Sequence, residues 1–104
     1  MATAKTILVL GGGIGGIVAA SRLRRALSRE HHIVLVEQAA AHLFQPSLLW
    51  LMLGLRTPQQ ISRPYTALAQ RGIELMQGRV ERIDPLLRTV TVDGKELIAD
   101  YLII

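Results

Sequence analysis

Three glycines near the start of the chain have the spacing that a phosphate-binding turn requires. Gly11, Gly13 and Gly16 directly follow the strand-forming residues 6–10. Gly11 has no Cβ, so the backbone can turn tightly off the end of a strand, and Gly13 lets the main chain approach an anion. Gly16 allows the following helix to pack closely against the strand. The pattern therefore predicts a helix whose first N–H groups, at the positive end of the helix dipole, face a phosphate.

The whole of this turn is the candidate anion-binding segment. Its six members are Gly11, Gly12, Gly13, Ile14, Gly15 and Gly16. Glycine-rich turns are common, so the pattern alone is weakly specific. It becomes more specific when a strand precedes it, a helix follows it and an acidic residue lies about 20 positions further on.

Glu37 is such an acidic residue. It ends a second apolar run, residues 33–36, and lies 21 residues after Gly16. At this position a carboxylate accepts hydrogen bonds from the ribose hydroxyls of an adenine dinucleotide. The alternative is a solvated residue at a strand end. No lysine or arginine occurs in residues 38–41 to neutralise a ribose 2′-phosphate, which argues against NADP.

The elements that would position these residues follow an α/β pattern. We predict strand 6–10, a helix over 14–28, and strand 33–36, which should be covered on both faces because it lacks polar alternation. The apolar run 48–53 is predicted to be helical. Two more helices are predicted to begin at Thr57-Pro58 and at Ser62-Arg63-Pro64, where a cap residue precedes a proline.

The second half of the chain is predicted to be mostly strand. The expected strands are residues 73–77, 79–83, 89–92, 96–98 and 101–104. Asp93-Gly94 predicts a hairpin, and the last strand should return to the main sheet. A small antiparallel meander before the fourth parallel strand is typical of FAD-binding Rossmann domains, so this order favours FAD over NAD. We therefore expect a single FAD/NAD(P)-binding domain of Rossmann type over residues 1–104.

Composition excludes several other classes. The net charge is +4 and the pI about 10.4, but the aromatic fraction is only 4%. A basic cluster occupies the second half of the predicted helix: Arg22, Arg24, Arg25 and Arg29. Because no aromatic residues interleave with these charges, we interpret them as a solvated helix face and expect no nucleic-acid partner.

Other sites and segments are also constrained. The chain has no cysteine, and its three histidines lack metal-ligand spacing, so we predict no disulfide and no metal site. Neither a signal peptide nor a membrane-spanning run is visible. The expected location is cytoplasmic, or peripheral at the inner membrane for a longer protein. Residues 100–104 read as an apolar strand with no following turn, so we expect the chain to be a fragment.

Several stretches resemble the N-terminal part of the pyridine nucleotide-disulfide oxidoreductase superfamily. They include residues 11–16, 34–37, 44–50, 54–56 and 80–85. The glycine turn and Glu37 are common to the superfamily. The Phe-Gln-Pro-Ser-Leu-Leu-Trp stretch is more selective for the sulfide:quinone oxidoreductase branch, whose relatives include flavocytochrome c sulfide dehydrogenase and type II NADH dehydrogenase.

The resemblance implies roles for individual residues. The glycine turn would hold the FAD pyrophosphate, and Glu37 would bind the ribose, with Gln38 beside it. The backbone of Val80 would bind the adenine edge, and Pro46 would approach the flavin ring. Pro46 and Val80 each have a structural alternative. Pro46 could serve merely to shape a loop, and Val80 could merely pack in a strand. The resemblance places no catalytic residue within the chain.

The implied activity belongs to a longer protein. It would move two electrons from a reduced small-molecule donor through flavin to quinone, with any membrane contact made by downstream chain. The alternatives are a type II NADH dehydrogenase using NAD(P)H, and a non-catalytic NAD-binding module. The 104-residue chain alone should be inactive, hold FAD weakly or not at all, and self-associate through exposed apolar area.

Overall fold

A four-stranded parallel sheet forms the centre of the molecule. The computed structural model describes residues 3–104. The sheet contains β1 (Thr6–Leu10), β2 (His32–Glu37), β5 (Glu74–Gln77) and β9 (Tyr101–Ile103), in the order β5-β2-β1-β9. All three neighbouring pairs are parallel, so the carboxyl ends of the strands lie at one edge. The predicted return of the last strand to the main sheet is confirmed.

A single long helix covers one face of this sheet. Helix α1 (Ile14–Ala26) begins directly after the glycine turn, and Ala20 on it is fully buried. The core beneath it is aliphatic and includes Ile7, Val9, Ile33 and Leu35. A small residue in the middle of the helix therefore allows close approach to the two central strands.

An antiparallel meander covers the opposite face. It consists of β6 (Val80–Asp84), β7 (Thr89–Val92) and β8 (Lys95–Ile98). The strands β7 and β8 are joined by a two-residue turn in which Asp93 has φ 48° and Gly94 has φ 77°, as a type I′ hairpin requires. The predicted hairpin and meander are confirmed.

The central strand β2 is buried on both faces, as predicted. Its odd-numbered residues Ile33 and Leu35 face α1, and its even-numbered residues Val34 and Val36 face the meander. A strand placed in this way must be apolar on both sides, which explains the absence of polar alternation.

The connection between β2 and β5 is less regular than predicted. It contains β3 (Ala41–Leu43), a 3-10 turn at Gln45–Ser47, α2 (Leu48–Met52), β4 (Ser62–Pro64) and α3 (Thr66–Ala69). The strands β3 and β4 form a separate antiparallel pair. Helix α2 lies within residues 48–53, so the prediction of a helix there is confirmed.

The helix predicted to begin at Thr57-Pro58 does not form, and the helix predicted to begin at Ser62-Arg63-Pro64 starts only at Thr66. Thr57 and Gln60 do bond each other reciprocally, as at a helix start, but they close only a turn. The chain then diverges because Ile61 is buried and its carbonyl accepts a bond from Phe44 N. Pairing with β3 makes Ser62–Pro64 a strand, which delays and shortens the following helix.

The prediction of a solvated arginine face on α1 is also wrong in part. Arg24 is only 8% exposed, whereas Arg22 and Arg25 are exposed. The Arg24 guanidinium donates to the carbonyl oxygens of Ser28 at 2.5 Å and His31 at 2.9 Å. It thereby satisfies backbone acceptors just beyond the helix, which ends two residues earlier than predicted.

None of the helices formed by residues 3–104 combines the length and the apolar character that a membrane-spanning segment requires.

Candidate functional site

The turn between β1 and α1 depends on glycine at two positions. Gly11 has φ +97°, a conformation that favours glycine, and its N–H donates to Val36 O at 2.8 Å. A Cβ placed on Gly16 would lie 1.9 Å from the carbonyl oxygen of Gly11. The predicted close packing at Gly16 is therefore seen, and it involves the turn itself as well as the strand.

The amino end of α1 offers free backbone donors. The residue preceding the helix is Gly13, no side chain caps the helix, and no acidic residue lies in its first turn. The first N–H groups of a helix have no partner within the helix, so those of Ile14, Gly15 and Gly16 remain available. A Cβ added at Gly13 or Gly15 would meet nothing within 4 Å, which shows that the surface there is open.

Glu37 lies at the carboxyl end of β2, one strand away from this turn. Its Oε1 accepts a hydrogen bond from Gly12 N at 2.9 Å, and its Oε2 accepts one from Ala39 N at 2.8 Å. Burial acts to raise the pKa of this carboxyl. Hydrogen bonds from the N–H groups of Ala39, Gly12 and Gln38, together with the nearby His42, outweigh burial and lower the pKa below its ordinary value. The side chain is thus held as a carboxylate with acceptor capacity to spare.

Four predicted site residues line one cleft at this edge of the sheet. The Val80 cleft has a volume of about 340 Å³. Its walls are Leu10, Gly11, Val36, Glu37, Gln38, Gly78, Arg79, Val80 and Ile83. The lining thus combines aliphatic side chains with the carboxylate of Glu37, the polar residues Gln38 and Arg79, and two glycines. That combination suits a flat heterocycle joined to a sugar.

Three more predicted residues line a neighbouring cleft. The Tyr65 cleft, of about 390 Å³, is lined by Gly12, Gly13, Ile14, Glu37, His42, Leu43, Gln45 and Tyr65. Because Glu37 belongs to both clefts, its carboxylate stands between the glycine turn and the Val80 cleft.

The remaining predicted residues lie outside these two sets of walls. Gly15 and Gly16 belong to the first turn of α1, and Pro46 lies exposed in the 3-10 turn. Its neighbour Gln45 lines the Tyr65 cleft. Pro46 itself lines neither cleft, and its approach to the flavin ring stays a prediction.

Two site residues were missed by sequence reasoning. The Tyr65 hydroxyl donates to the carbonyl oxygen of Gly12, and His42 Nδ1 lies 3.2 Å from the same oxygen. The Tyr65 and His42 rings also meet edge to face, 6.1 Å apart. Since Glu37 accepts a hydrogen bond from the N–H of Gly12, both the N–H and the carbonyl oxygen of Gly12 are bound by side chains. No sequence motif could reveal the arrangement, because the β3–β4 pairing creates it.

The position of Tyr65 shifts the pKa of its phenol. Burial, and secondarily the charge of Glu37, raise the pKa of Tyr65 above its ordinary value. The hydroxyl therefore keeps its proton at neutral pH and can act as a donor to Gly12.

This chain is similar in sequence to known proteins. A family model described as pyridine nucleotide-disulphide oxidoreductase matches residues 5–104. The chain is 38% identical over 103 residues to the sulfide-quinone reductase of Aquifex aeolicus, covering 97% of this chain and 24% of that protein. It is 35% identical over 101 residues to the mitochondrial sulfide:quinone oxidoreductase of Mus musculus, covering 94% and 22%.

Relatives with other names also match. The chain is 34% identical over 88 residues to a type II NADH:quinone oxidoreductase of Mycobacterium tuberculosis, covering 82% of this chain and 18% of that protein. The chain therefore spans about a fifth to a quarter of the length of the curated relatives that it matches.

A solved structure confirms the predicted fold class. The sulfide:quinone oxidoreductase of Aquifex aeolicus superposes with a TM-score of 0.89 at 37% identity, covering 95% of this chain and 23% of that one. A NAD-dependent persulfide reductase from A. fulgidus superposes with a TM-score of 0.82 at 27% identity, covering 93% and 20%.

Proposed function

The chain belongs to the pyridine nucleotide-disulphide oxidoreductase family, and we propose that it binds the adenosine diphosphate half of FAD. One observation carries this proposal. Glu37 stands between a helix start with free N–H groups and a cleft with aliphatic walls, all at the carboxyl edge of a parallel sheet. Adenine dinucleotides bind at this edge in open α/β sheets.

Each predicted residue has a place in this proposal. The N–H groups at residues 13–16 bind the diphosphate, aided by the helix dipole. Glu37 accepts bonds from the ribose hydroxyls, with Gln38 beside it, and the backbone of Val80 meets the adenine edge. FAD, when bound, supplies two-electron redox chemistry, and the chain supplies binding and orientation. Pro46 is proposed to approach the flavin ring.

For the whole protein we propose transfer of two electrons from sulfide to quinone. This proposal is supported by the similarity to sulfide:quinone oxidoreductases of two distant organisms. The second candidate is quinone reduction by NADH, supported by the similarity to the mycobacterial type II enzyme. The two candidates share the cofactor site and differ in the electron donor.

The test uses the intact protein that carries this chain. We expect the purified protein to be yellow, to release FAD on denaturation, and to reduce quinone faster with sulfide than with NADH. Faster reduction with NADH would favour the second candidate. A colourless protein that releases NAD, or binds no nucleotide, would overturn the FAD proposal.

A further inference from the structure

Four arginines surround a cleft at the end of α1 opposite the glycine turn. Helix α1 has 13 residues, so the two ends lie about 20 Å apart at 1.5 Å per residue. We call this the arginine cleft; its volume is about 260 Å³. It is lined by Ser21, Arg24, Arg25, Arg29, Arg71 and Ile73. The cleft is thus separate from the proposed FAD site.

The positive charge of this cleft is not balanced by acidic side chains. None of the residues that line it is acidic. Among residues 3–104, the ion pairs with N···O distances within 4.0 Å involve only histidines on the basic side. Guanidinium groups gathered without a carboxylate repel one another, so an anion from outside would stabilise this arrangement.

Arg24 provides a second and independent observation. It is 8% exposed, and its guanidinium donates only to neutral backbone carbonyls, those of Ser28, His31 and Gly72. Its Nε is buried without a hydrogen-bond partner. Buried charges in proteins are normally paired with an opposite charge, because burial against neutral acceptors is costly. The missing counter-charge points to an anion in the adjoining cleft.

The other three arginines converge from different segments. Arg25 lies in α1, Arg29 follows the helix, and Arg71 follows α3. Arg29 Nη1 donates to the carbonyl oxygen of Arg71 at 3.0 Å, which ties the two segments together. Gly72 has φ +88°, and a Cβ there would lie 2.0 Å from Arg29 Nη1. The absence of a side chain at Gly72 therefore lets the Arg29 guanidinium lie across the backbone.

We propose that the arginine cleft binds a phosphate group. Planar guanidinium groups bind carboxylate and phosphate with paired hydrogen bonds. Three exposed guanidinium groups lie beside a buried fourth, and this much positive charge favours an anion with more than one negative charge. A phosphate group can carry two negative charges, whereas a single carboxylate carries one, so phosphate is the better ligand. The cleft volume of 260 Å³ is several times the roughly 30 Å³ share of a water molecule, so a phosphate group fits. The group can come from a small phosphorylated molecule or from an anionic lipid head.

The test is a titration of the ¹⁵N-labelled chain with inorganic phosphate at low ionic strength, followed by NMR. We expect saturable shifts at the Nε–H groups of the arginines in the cleft and at the amides of Arg71 and Gly72. The R25Q/R71Q variant removes two exposed cations and should weaken binding at least about tenfold, the scale for losing two charged contacts. The R25K/R71K variant should recover part of the affinity, because lysine keeps the charge but loses the planar fork.

The matched control is R22Q/R82Q, which removes the same charge from α1 and from β6 outside the cleft. This variant should change the affinity less than about twofold, as expected for screened charges that do not touch the ligand. The amide spectra of the variants report whether they fold. Equal losses in both double variants, or shifts confined to residues 11–16, would overturn the proposal.

Vesicles distinguish the two sources of the phosphate group. Sedimentation with phosphatidylglycerol vesicles but not with phosphatidylcholine vesicles, abolished by R25Q/R71Q, would identify a lipid head. Saturable binding of inorganic phosphate without vesicle binding would identify a small molecule. Absence of both kinds of binding would contradict the proposal.

Discussion

At the scale of single residues, two side chains hold the backbone of Gly12. Glu37 Oε1 accepts a hydrogen bond from Gly12 N, and the Tyr65 hydroxyl donates to the carbonyl oxygen of Gly12. Both side chains are ionisable and have shifted pKa values, so these two contacts link the stability of the glycine turn to pH.

Replacement of Glu37 should affect FAD more than replacement of another acid. In the intact protein, E37Q removes the charge that would accept bonds from the ribose, and a charged hydrogen bond contributes about 1.5–3 kcal/mol. We therefore expect the dissociation constant of FAD to rise at least about tenfold. E96Q is the matched control because Glu96 is exposed on β8. Equal effects in the two variants, measured by flavin fluorescence, would remove Glu37 from the site.

The same carboxylate should make stability sensitive to acid. The folded-state pKa of Glu37 lies below its ordinary value of 4.5. Its contribution to the free energy of unfolding is therefore present above pH 4.5 and lost as the pH falls through the lower, folded-state pKa. Urea denaturation across this range should show a smaller acid dependence for E37Q than for the wild type. Identical pH profiles for E37Q and the wild type would show that Glu37 does not cause this loss of stability in acid.

Tyr65 should make stability sensitive to alkali. Its folded-state pKa lies above the ordinary value of 10.0, so its contribution is full below pH 10 and is lost as the pH rises through the raised pKa. Y65F should cost about 1 kcal/mol at neutral pH, the usual effect of one lost hydrogen bond, and should reduce the alkaline dependence. The control is Y101F, since Tyr101 is 59% exposed. A Y65F profile that matches that of Y101F would show that the contact between Tyr65 and Gly12 does not contribute to stability.

Glu37 could be singled out from the sequence, whereas Tyr65 could not. The acid is found by its distance from the glycine turn, which is fixed by the length of one helix and one strand. Tyr65 reaches Gly12 only because β3 and β4 pair across a long connection. Local patterns do not encode such a pairing, and sequence reasoning predicted neither contact with Gly12.

At the scale of elements, the parallel sheet, α1 and the meander were predictable, whereas the path of residues 57–65 was not. Strands β1 and β2 and the Asp93-Gly94 hairpin have strong local signals, because apolar runs and positive-φ turn residues act over a few positions. Thr57-Pro58 also has a strong local signal for a helix. It fails because burial of Ile61 and pairing with β3 stabilise a different path.

Two neighbouring glycines give a matched test of the turn. A Cβ at Gly16 would lie 1.9 Å from Gly11 O, whereas a Cβ at Gly15 meets nothing within 4 Å. G16A should therefore destabilise the fold by about 2 kcal/mol or more, in the range of overpacking and backbone shifts. G15A should be neutral or stabilise by up to about 1 kcal/mol, because alanine favours helix. Urea denaturation of both variants checks this, and equal stabilities would refute the close packing at Gly16.

At the scale of the whole molecule, apolar side chains remain exposed around α2. Leu49, Met52 and Leu53 are 55%, 74% and 58% exposed, and Trp50 is 42% exposed. Contiguous exposed apolar surface favours association. We predict that the 104-residue chain self-associates and that L49E/M52E reduces this association. Sedimentation velocity provides the measurement, and a wild-type chain that stays monomeric at high concentration would contradict the prediction.

The central claim is that the glycine turn and Glu37 together hold the adenosine diphosphate half of FAD. The most direct measurement is an NMR titration of the ¹⁵N-labelled chain with ADP, because weak binding is still visible and each amide is observed separately. We predict saturable shifts at the amides of residues 11–16 and at Val80, and their loss in E37Q. Binding of ADP that leaves these amides unshifted, or that is unchanged in E37Q, would contradict the claim.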